Sequence, residues 1–504
     1  MITGNTFVDN LRKDTNYTET ENGGITHKTT LSKIYDMFAL GGAYRQRSDE
    51  DCILLFKNAL EEDETLALKC LFYLRDIRGG QGERRFFRVC FNWLAKEYPE
   101  IAKRNLENLA EYGRYDDLYC VVGTPIEDDM FKLMKNQIDL DMASLNIHMN
   151  EGVSLLAKWL KSENASSKET KYLANKTREH FGLSHKDYRK MLSALRTRIN
   201  IVEKLMSTNQ WEKIEFDKIP SKAGLIYRNA FARRDIIAKK YEDFINSKET
   251  KVNAGALYPY DIVHQATNHM AWYSDDINIT DIERKTLNKY WENQKDYLNG
   301  EPCKMMCVVD TSGSMTSGGN GATPIDVAIS LGMYCAERLS GPFKDNFISF
   351  SSRPQFIEVE GIDFVDKVHR IYAQNLCENT DLAAVFNLLK NVALQPSTNI
   401  EDLPETIIVI SDMEIDGGSY WNQYTRATEM ERIRQEWEAA GLKMPKLVYW
   451  NVNARHNLIL DEAKDGITYV SGCSPIIFES VLLGKTGWDL CYDKLMSERY
   501  AQVK

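Results

Sequence analysis

The stretch Asp310-Thr311-Ser312-Gly313-Ser314-Met315 decides how the last third of this 504-residue chain is interpreted. It follows an apolar, strand-like run from Lys304 to Val309. One carboxylate and two hydroxyls occur at D-x-S-x-S spacing on the loop that leaves this predicted strand. Oxygen ligands of this kind suit Mg²⁺, which keeps several waters and usually takes only one or two carboxylates. The stretch therefore predicts part of a coordination shell for a divalent cation.

Two later stretches supply further oxygen ligands. Asn379-Thr380-Asp381 precedes a helical pattern and offers a hydroxyl, and the apolar run Ile407 to Ser411 leads into the carboxylate of Asp412. Three such loops in this order resemble the metal-ion-dependent adhesion site of a von Willebrand factor A domain. That resemblance implies a site for Mg²⁺ or another divalent cation, with the ligand residues Asp310, Ser312, Ser314, Thr380 and Asp412.

A simpler interpretation of the first stretch is a turn. Asp, Ser and Gly are common turn residues, and Ser312 or Ser314 would then cap a following helix. The two later loops weaken this alternative without removing it. An obvious general base or nucleophile does not accompany the ligand set, so we expect the cation to serve binding or structure and not catalysis.

Strand-like and helical patterns alternate after residue 300. Apolar runs that indicate strands are Met305–Val309, Asn346–Phe350, Gln355–Val359, Thr406–Ile410, Lys446–Asn451 and Gly466–Val470. Helical patterns lie between or after them at Thr323–Leu339, Asp381–Val392, Arg426–Ala440 and Ile476–Leu483. This alternation predicts an α/β fold with a doubly wound, mostly parallel sheet. Ligands of such sheets bind beyond the carboxyl ends of the strands, where Asp310 falls.

The region before residue 300 has a helical pattern almost throughout. Apolar residues recur at three- and four-residue intervals over Asp51–Leu60, Glu64–Arg75, Arg84–Glu97 and Ile101–Tyr112, which predicts an α-solenoid or helical-repeat array. Residues 1–30 are polar and read as a flexible arm. We therefore expect an arm at 1–30, a helical-repeat domain at 31–300 and an A-type domain at 301–504.

Composition places the chain among globular proteins. Its hydrophobic content of 43% and charged content of 27% are ordinary, and 504 residues predict two or three domains. Apolar runs long enough to span a bilayer do not occur in the sequence, and residues 1–6 lack the pattern of a secretory signal. The ten cysteines form no C-x-x-C pair. These features predict reduced thiols, a cytoplasmic location and no membrane partner.

The formal charge of −10 is unevenly distributed along the chain. Between Lys158 and Lys240 there are 20 Lys or Arg and 9 Asp or Glu, a local balance of +11. A basic block in an acidic chain suggests an anionic partner, with nucleic acid as the first candidate. A helix predicted over Lys186–Met206 gathers basic residues opposite an apolar stripe. A solvated helix face is the plain alternative.

The residues that we expect to contact RNA are basic residues of this block. They are Lys158, Lys161, Lys168, Lys171, Lys176, Arg178, Lys186, Arg189, Arg196, Lys204, Arg233 and Arg234. Neither the aromatic RNA-recognition signature of a sheet nor zinc-finger spacing occurs in the sequence. Binding through these residues would therefore depend on phosphates and shape before bases.

The stretch Arg75–Arg84 places three glycines among arginines. Its backbone N–H groups and guanidinium groups could bind phosphate. It is not a P-loop, because the Gly-Lys-Ser/Thr ending is absent. A tight turn between helices, held by Arg–Asp pairs, is at least as good an interpretation.

Four stretches of the helical region resemble the Ro autoantigen proteins, which carry the TROVE module, and more closely a Ro-like family of microbes, viruses and some eukaryotes. They are Arg75–Arg84, Tyr112–Leu118, Lys158–Asn164 and Tyr188–Ser193, and the resemblance extends from about residue 30 to the end. It implies a ring of HEAT-like repeats closed by the A domain. Ro proteins bind small noncoding RNAs on the outer surface and take single-stranded 3′ ends of misfolded RNAs through the central hole. The acidic overall charge departs from a strong RNA binder.

Three functions follow from these patterns. The first is a non-catalytic, Ro-like RNA-binding ring, a ribonucleoprotein component with a Mg-binding A domain. The second is a protein-interaction scaffold whose A domain captures an acidic protein partner through the cation. The third, and weakest, is a metal-dependent hydrolase or nuclease.

Overall fold

The chain is described by a computed structural model. The described residues are 5–20, 23, 25–146, 153–199, 201–268, 279–299, 303–316, 323–350, 353–374, 381–414, 428–460, 466–482, 485 and 487–504.

The first part of the chain is helical, apart from a short hairpin near its start. The opening elements are α1 (Thr6–Asp14), β1 (Tyr17–Glu19) and β2 (Ile25–His27). The helices that follow are α2 (Lys33–Leu40), α3 (Asp49–Glu62), α4 (Glu64–Arg75), α5 (Arg85–Glu97), α6 (Pro99–Arg104), α7 (Asn108–Tyr112), α8 (Glu127–Asn146), α9 (Leu156–Trp159), α10 (Lys168–His180), α11 (His185–Arg198), α12 (Val202–Ser207), α13 (Ser221–Arg233), α14 (Asp235–Asn246), α15 (Pro259–Thr267) and α16 (Asp281–Glu292).

The second part alternates strands and helices. Its strands are β3 (Met305–Asp310), β4 (Asn346–Phe350), β5 (Gln355–Glu358), β6 (Thr406–Ser411), β7 (Lys446–Asn451) and β8 (Ile467–Ser471). Its helices are α17 (Pro324–Arg338), α18 (Phe364–Ala373), α19 (Leu382–Ala393), α20 (Glu429–Ala439), α21 (Ile477–Leu482) and α22 (Gly487–Leu495). The predicted fold class, helical repeats followed by a doubly wound A-type domain, is confirmed.

The six-stranded sheet has the order β5-β4-β3-β6-β7-β8, with β5 antiparallel to β4 and the other neighbours parallel. Strands β3, β6, β7 and the edge strand β8 are buried along almost their whole length. Parallel strands covered by helices on both faces have to be apolar at nearly every position, which explains their continuous hydrophobic runs. The strand order reverses between β3 and β6, the place where such sheets bind ligands.

The helical region contacts the C-terminal domain at both of its ends. At the first end, α2 packs on β8, and the Tyr35 hydroxyl accepts a 2.9 Å hydrogen bond from the backbone N–H of Tyr469. At the second end, α15 and α16 pack on α17 and α18, and Arg284 pairs with Asp363 at 2.9 Å. The chain therefore closes on itself, with the C-terminal domain joining the two ends of the helical array.

The start of the chain is better ordered than its polar composition suggests. The structure places α1 and the β1–β2 hairpin where we expected a flexible arm. The hairpin is held by the C-terminal domain, because the Thr26 hydroxyl donates to the carbonyl of Ile459 at 2.9 Å and His27 forms a β-bridge with the same residue. Thr26 and His27 are buried as a result. Contacts with a segment more than 400 residues away leave no local pattern in the sequence.

Other expectations differ in detail from the structure. The helix predicted over Lys186–Met206 is two helices, α11 and α12, because Ile201 has an extended backbone at the start of the second. The pattern over Ile101–Tyr112 likewise divides into α6 and α7. The nine cysteines within the described residues are free thiols, most of them buried.

The glycine-rich stretch after α4 is a tight turn with buried charge pairs. Arg75 is bonded to Asp117, and Asp76 accepts hydrogen bonds from Arg499 of the C-terminal segment. Gly82 has a φ of +64°, and a Cβ atom there would lie 1.7 Å from the hydroxyl of Tyr258. The interpretation of this stretch as a tight turn held by Arg–Asp pairs is therefore correct. Some of its residues also line a cavity described below.

A side chain at Gly82 would meet two obstacles, the positive φ of the backbone and the hydroxyl of Tyr258. We expect Gly82→Ala to destabilise the protein by about 1–3 kcal/mol more than Gly182→Ala, because only the first residue is overpacked. Gly182 is a matched control, since its φ is +65° and a Cβ atom there would have nothing within 4 Å. Urea denaturation midpoints of the two variants measure the difference. Equal midpoints would show that Tyr258 moves aside freely.

Candidate nucleic-acid interface and metal site

A cavity of about 740 Å³ lies between several segments of the helical region. Its walls come from the turn after α4 and from segments near α9, α11, α12, α13 and α15. The basic residues in its lining are Arg75, Arg84, Arg114, Lys158, Arg196, Lys204 and Lys222. Glu203 is the acidic residue of that lining. The cavity is thus strongly basic inside an acidic protein, which favours anionic ligands.

Three of the residues predicted to contact RNA line this cavity, namely Lys158, Arg196 and Lys204. Other predicted residues lie away from its lining and are exposed or paired. Exposed ones are Lys168, Lys171, Lys186, Arg189, Arg233 and Arg234. Lys176 pairs with Glu127, and Arg178 with Glu163 at 3.2 Å. The structure therefore divides the predicted set into an inner group and a dispersed outer group.

Lys161 stands beside the inner group without lining the cavity. Its ammonium lies 5.1 Å from the ring centre of Tyr119. Burial lowers the pKa of Lys161, and the nearby Arg88 and Arg114 lower it further. A lysine in this position adds positive potential behind the cavity wall.

Arg196 holds the wall together through its guanidinium. Its nitrogens donate to the carbonyls of Ala157 and Leu160 at 2.9 and 2.7 Å, and to the hydroxyl of Ser162 at 2.9 Å. These bonds fix α9 and the residues that follow it. Because none of these three partners is a carboxylate, the charge of Arg196 still acts on the cavity. Burial lowers the pKa of this guanidinium.

The aromatic residue of α9 completes this part of the lining. Trp159 lies under the guanidinium of Arg114, 4.1 Å from the ring centre, and Lys158 lies 5.6 Å from it. Cation–π contacts of this kind hold aromatic and basic groups together at a cavity surface. Arg84, Arg114 and Lys222 were absent from the predicted RNA contacts. Arg84 belongs to the stretch Arg75–Arg84, for which phosphate binding was one interpretation of the sequence. Arg114 precedes the basic block, and its position in the fold brings it to the cavity.

Two of the three predicted metal-site loops, those with Asp310 and Asp412, lie side by side where the strand order of the sheet reverses. Asp310 ends β3, and Asp412 follows the neighbouring strand β6. The hydroxyls of Ser312 and Ser314 are 3.0 Å apart. The backbone N–H of Ser312 donates to Asp310 at 2.9 Å, which folds the loop back onto that carboxylate. Thr380, the remaining predicted ligand, lies outside the described residues.

The electrostatics of these loops are dominated by two buried carboxylates. Asp310 and Asp412 are almost completely inaccessible to solvent. Burial and the negative charge of Asp412 raise the pKa of Asp310 to about 7. Arg455 places its Nε 3.4 Å from a carboxylate oxygen of Asp412. Such an arrangement of carboxylates and hydroxyls provides oxygen ligands that fit a hard divalent cation.

Arg455 connects these loops to the helical region. The guanidinium of Arg47 donates to the backbone carbonyl of Arg455, and the carbonyl of Ala43 accepts a 3.1 Å bond from the N–H of Ala454. The 3₁₀ segment Gly41–Gln46 thus holds the loop that carries the arginine. The charge balance at Asp412 therefore depends on contacts between the two halves of the chain.

The described residues limit other interpretations of the chain. Within them, three or more His, Cys, Asp or Glu side chains do not converge in a way that could hold a metal ion. A cation at Asp310 and Asp412 would therefore depend on serine hydroxyls as well. Among the helices of the same described ranges, none combines the length and apolarity required to cross a membrane.

Comparison with protein families assigns the helical region. The family model described as "Domain of unknown function (DUF2828)" matches residues 20–142 and 153–301, together more than half of the chain. The chain belongs to the DUF2828 family. A second model, "Domain of unknown function (DUF7788)", matches residues 304–498, the α/β domain. Neither description names a catalytic activity.

Two individual proteins are similar over most of their length. "Uncharacterized protein L728" of Acanthamoeba polyphaga mimivirus is 27% identical, over 93% of this chain and 85% of that protein. The crystal structure of the Deinococcus radiodurans RO (RSR) protein matches 90% of this chain and 100% of that chain, at 14% identity and a TM-score of 0.48. The resemblance to Ro proteins therefore stays a prediction from the sequence stretches quoted above.

Arg196 and Lys204 line one cavity, but only the first supports its wall. We expect Arg196→Ala to lower the free energy of unfolding by about 2–4 kcal/mol, because several hydrogen bonds from a charged donor are removed. Lys204→Ala should change it by less than about 0.5 kcal/mol, since the Lys204 side chain has no hydrogen bond or ion pair within the described residues. Chemical denaturation of both variants tests this. A large destabilisation by Lys204→Ala would contradict it.

Proposed function

We propose that this protein is a non-catalytic RNA-binding protein that takes single-stranded RNA into its basic central cavity. The observation that supports this most directly is the lining itself, with seven Lys or Arg side chains and one Glu. A volume of about 740 Å³ lies in the range of pockets that enclose nucleotide-sized ligands. Positive grooves with interspersed aromatic residues bind single strands through phosphates and stacking, and Trp159 supplies an aromatic ring here.

The class of RNA is taken from the sequence resemblance to Ro proteins. Small noncoding RNAs and misfolded RNAs with single-stranded ends are the ligands that this resemblance implies. The inner position of Lys158, Arg196 and Lys204 agrees with a strand that enters the cavity. The dispersed outer residues, such as Lys186 and Arg189, offer less concentrated charge.

We propose in addition that the A-type domain binds Mg²⁺ through Asp310, Ser312, Ser314 and Asp412. Two buried carboxylates close enough to raise the pKa of Asp310 favour a neighbouring cation. When bound, the cation would supply positive charge and an open position for an oxygen ligand. The loop reaches the surface at Gly313 and Thr316, which are exposed. That exposure favours a second candidate function, capture of an acidic protein partner through the cation.

Charge reversal inside and outside the cavity tests the RNA proposal. The double variant Lys158→Glu/Lys204→Glu should bind single-stranded RNA at least about tenfold more weakly, because both side chains face the strand. The slope of log K against log salt should also fall by about 0.7 for each phosphate that the variant no longer neutralises. Fluorescence anisotropy with a labelled oligonucleotide measures both quantities.

The matched control is Lys186→Glu/Arg189→Glu, which changes the same charge on the exposed surface of α11. It should bind RNA within about twofold of the unchanged protein, since distant surface charges are screened by salt. If the outer variant loses affinity and the inner variant keeps it, RNA binds the outside of the molecule. If the unchanged protein binds no RNA at low salt, the proposal is wrong.

Calorimetric titration with Mg²⁺ tests the metal site independently of RNA. Asp310→Asn should abolish cation binding, because it removes one of the two buried charges. Arg455→Gln should strengthen binding roughly several-fold, since a competing positive charge near Asp412 is removed. Asp363→Asn, a carboxylate of the same domain that pairs with Arg284, serves as the control. Unchanged Mg²⁺ binding in Asp310→Asn would contradict this assignment.

A further inference from the structure

The start of α5 has a charge pattern that opposes its helix dipole. Arg84, Arg85 and Arg88 lie at its cap and in its first turn, where no acidic residue is present. Helix N-termini carry partial positive charge and are stabilised by acidic residues or bound anions. Arg85 pairs with Asp49 at 2.5 Å, and Arg88 pairs with acidic residues of the neighbouring segment. Arg84, which lines the cavity, forms no ion pair within the described residues.

The pairs behind this wall leave an excess of positive charge. Asp117 binds Arg75 at 2.6 Å and Arg88 at 2.6 Å, and Asp116 binds Arg88 at 2.9 Å and Arg114 at 3.0 Å. With Arg84 there are four guanidinium groups and two carboxylates. The cluster therefore keeps two positive charges next to the cavity. A network built for stability alone would balance its charges more closely.

Arg75 has one hydrogen-bond donor that this cluster does not use. Its side chain is 1% exposed, and its Nη1 is buried without a hydrogen-bond partner within the described residues. A buried guanidinium N–H group left unpaired is costly, so a partner is expected. Arg75 is part of the cavity wall, and an oxygen of a bound anion would complete its hydrogen bonds. Burial and the nearby charge of Arg88 lower the pKa of Arg84, as expected for guanidinium groups crowded together.

We infer that the wall formed by Arg75, Arg84 and Arg114 binds a phosphomonoester, such as the terminal phosphate of an RNA strand. A phosphomonoester carries a charge of about −1.5 to −2 at neutral pH and three acceptor oxygens, which match the two excess charges. A phosphodiester within a strand carries one charge and would leave the cluster unbalanced. Trp159, beneath Arg114, offers a ring for the adjacent base. This inference rests on the proposed RNA function and specifies which part of the strand is recognised.

The test compares oligouridylates that carry a 5′-phosphate, a 3′-phosphate or only hydroxyl ends. We expect the full-length protein to bind one phosphorylated form roughly tenfold more tightly than the hydroxyl form, because charge-assisted bonds to the terminal phosphate are added. Arg84→Gln should remove this preference, and Arg84→Lys should retain part of it. Arg85→Gln is the matched control, since it removes the same charge from the same helical turn but not from the cavity lining.

The outcomes separate this inference from the proposed function. Equal binding of all three oligonucleotides overturns the phosphate site and leaves RNA binding intact. Equal loss of the preference in Arg84→Gln and Arg85→Gln also overturns it, because general electrostatics would then suffice. If no oligonucleotide binds, the RNA proposal fails, and calorimetry with uridine 5′-monophosphate and inorganic phosphate becomes decisive. Binding that depends on Arg84 then supports the site for a small phosphomonoester, whereas absence of binding overturns it.

Discussion

Two consecutive buried charges at the end of α4, Arg75 and Asp76, organise the rest of the molecule. Arg75 bonds to Asp117 inside the helical region, and Asp76 bonds to Arg499 and Tyr500 of the C-terminal segment. Burying such charges is unfavourable unless each is paired, and removing one partner typically costs about 3–5 kcal/mol. The pairs therefore contribute more to geometry than to net stability. They fix where the helical array meets the C-terminal segment, and they place the arginines that line the cavity.

The C-terminal fold was largely predictable because its signals are local. Buried parallel strands need continuous apolar runs, so Asn346–Phe350 and Lys446–Asn451 have the predicted bounds. The position of Asp310 at the carboxyl edge of the sheet could also be predicted, because an apolar, strand-like run comes directly before it. The N-terminal hairpin could not be predicted, because its stability comes from Ile459 and not from its own composition. The break between α11 and α12 was hidden by an apolar period that continues across it.

The sequence predicted the positive charge of the cavity but not which residues line it. Local sequence shows that α11 has a basic face, but not that Arg196 points into the molecule while Lys186 and Arg189 remain exposed. That distinction depends on how successive helices curve, which arises from packing between distant segments. The arginines near α5 left one recognisable signal, since Arg84 and its neighbours occupy a helix start that favours acidic residues. Local patterns that conflict with local physics are often found where a protein binds something.

The contacts between the two ends of the chain also constrain how the protein is made. Tyr35 bonds to Tyr469, and Thr26 bonds to Ile459, across sequence separations of 434 and 433 residues. At ribosomal speeds of about 5–20 residues per second, α2 would wait roughly 20 to 90 seconds for its partner strand. During that interval the apolar face that later packs on β8 has no native cover. The helical array therefore cannot close until β8 and the segment that contains Ile459 have been synthesised.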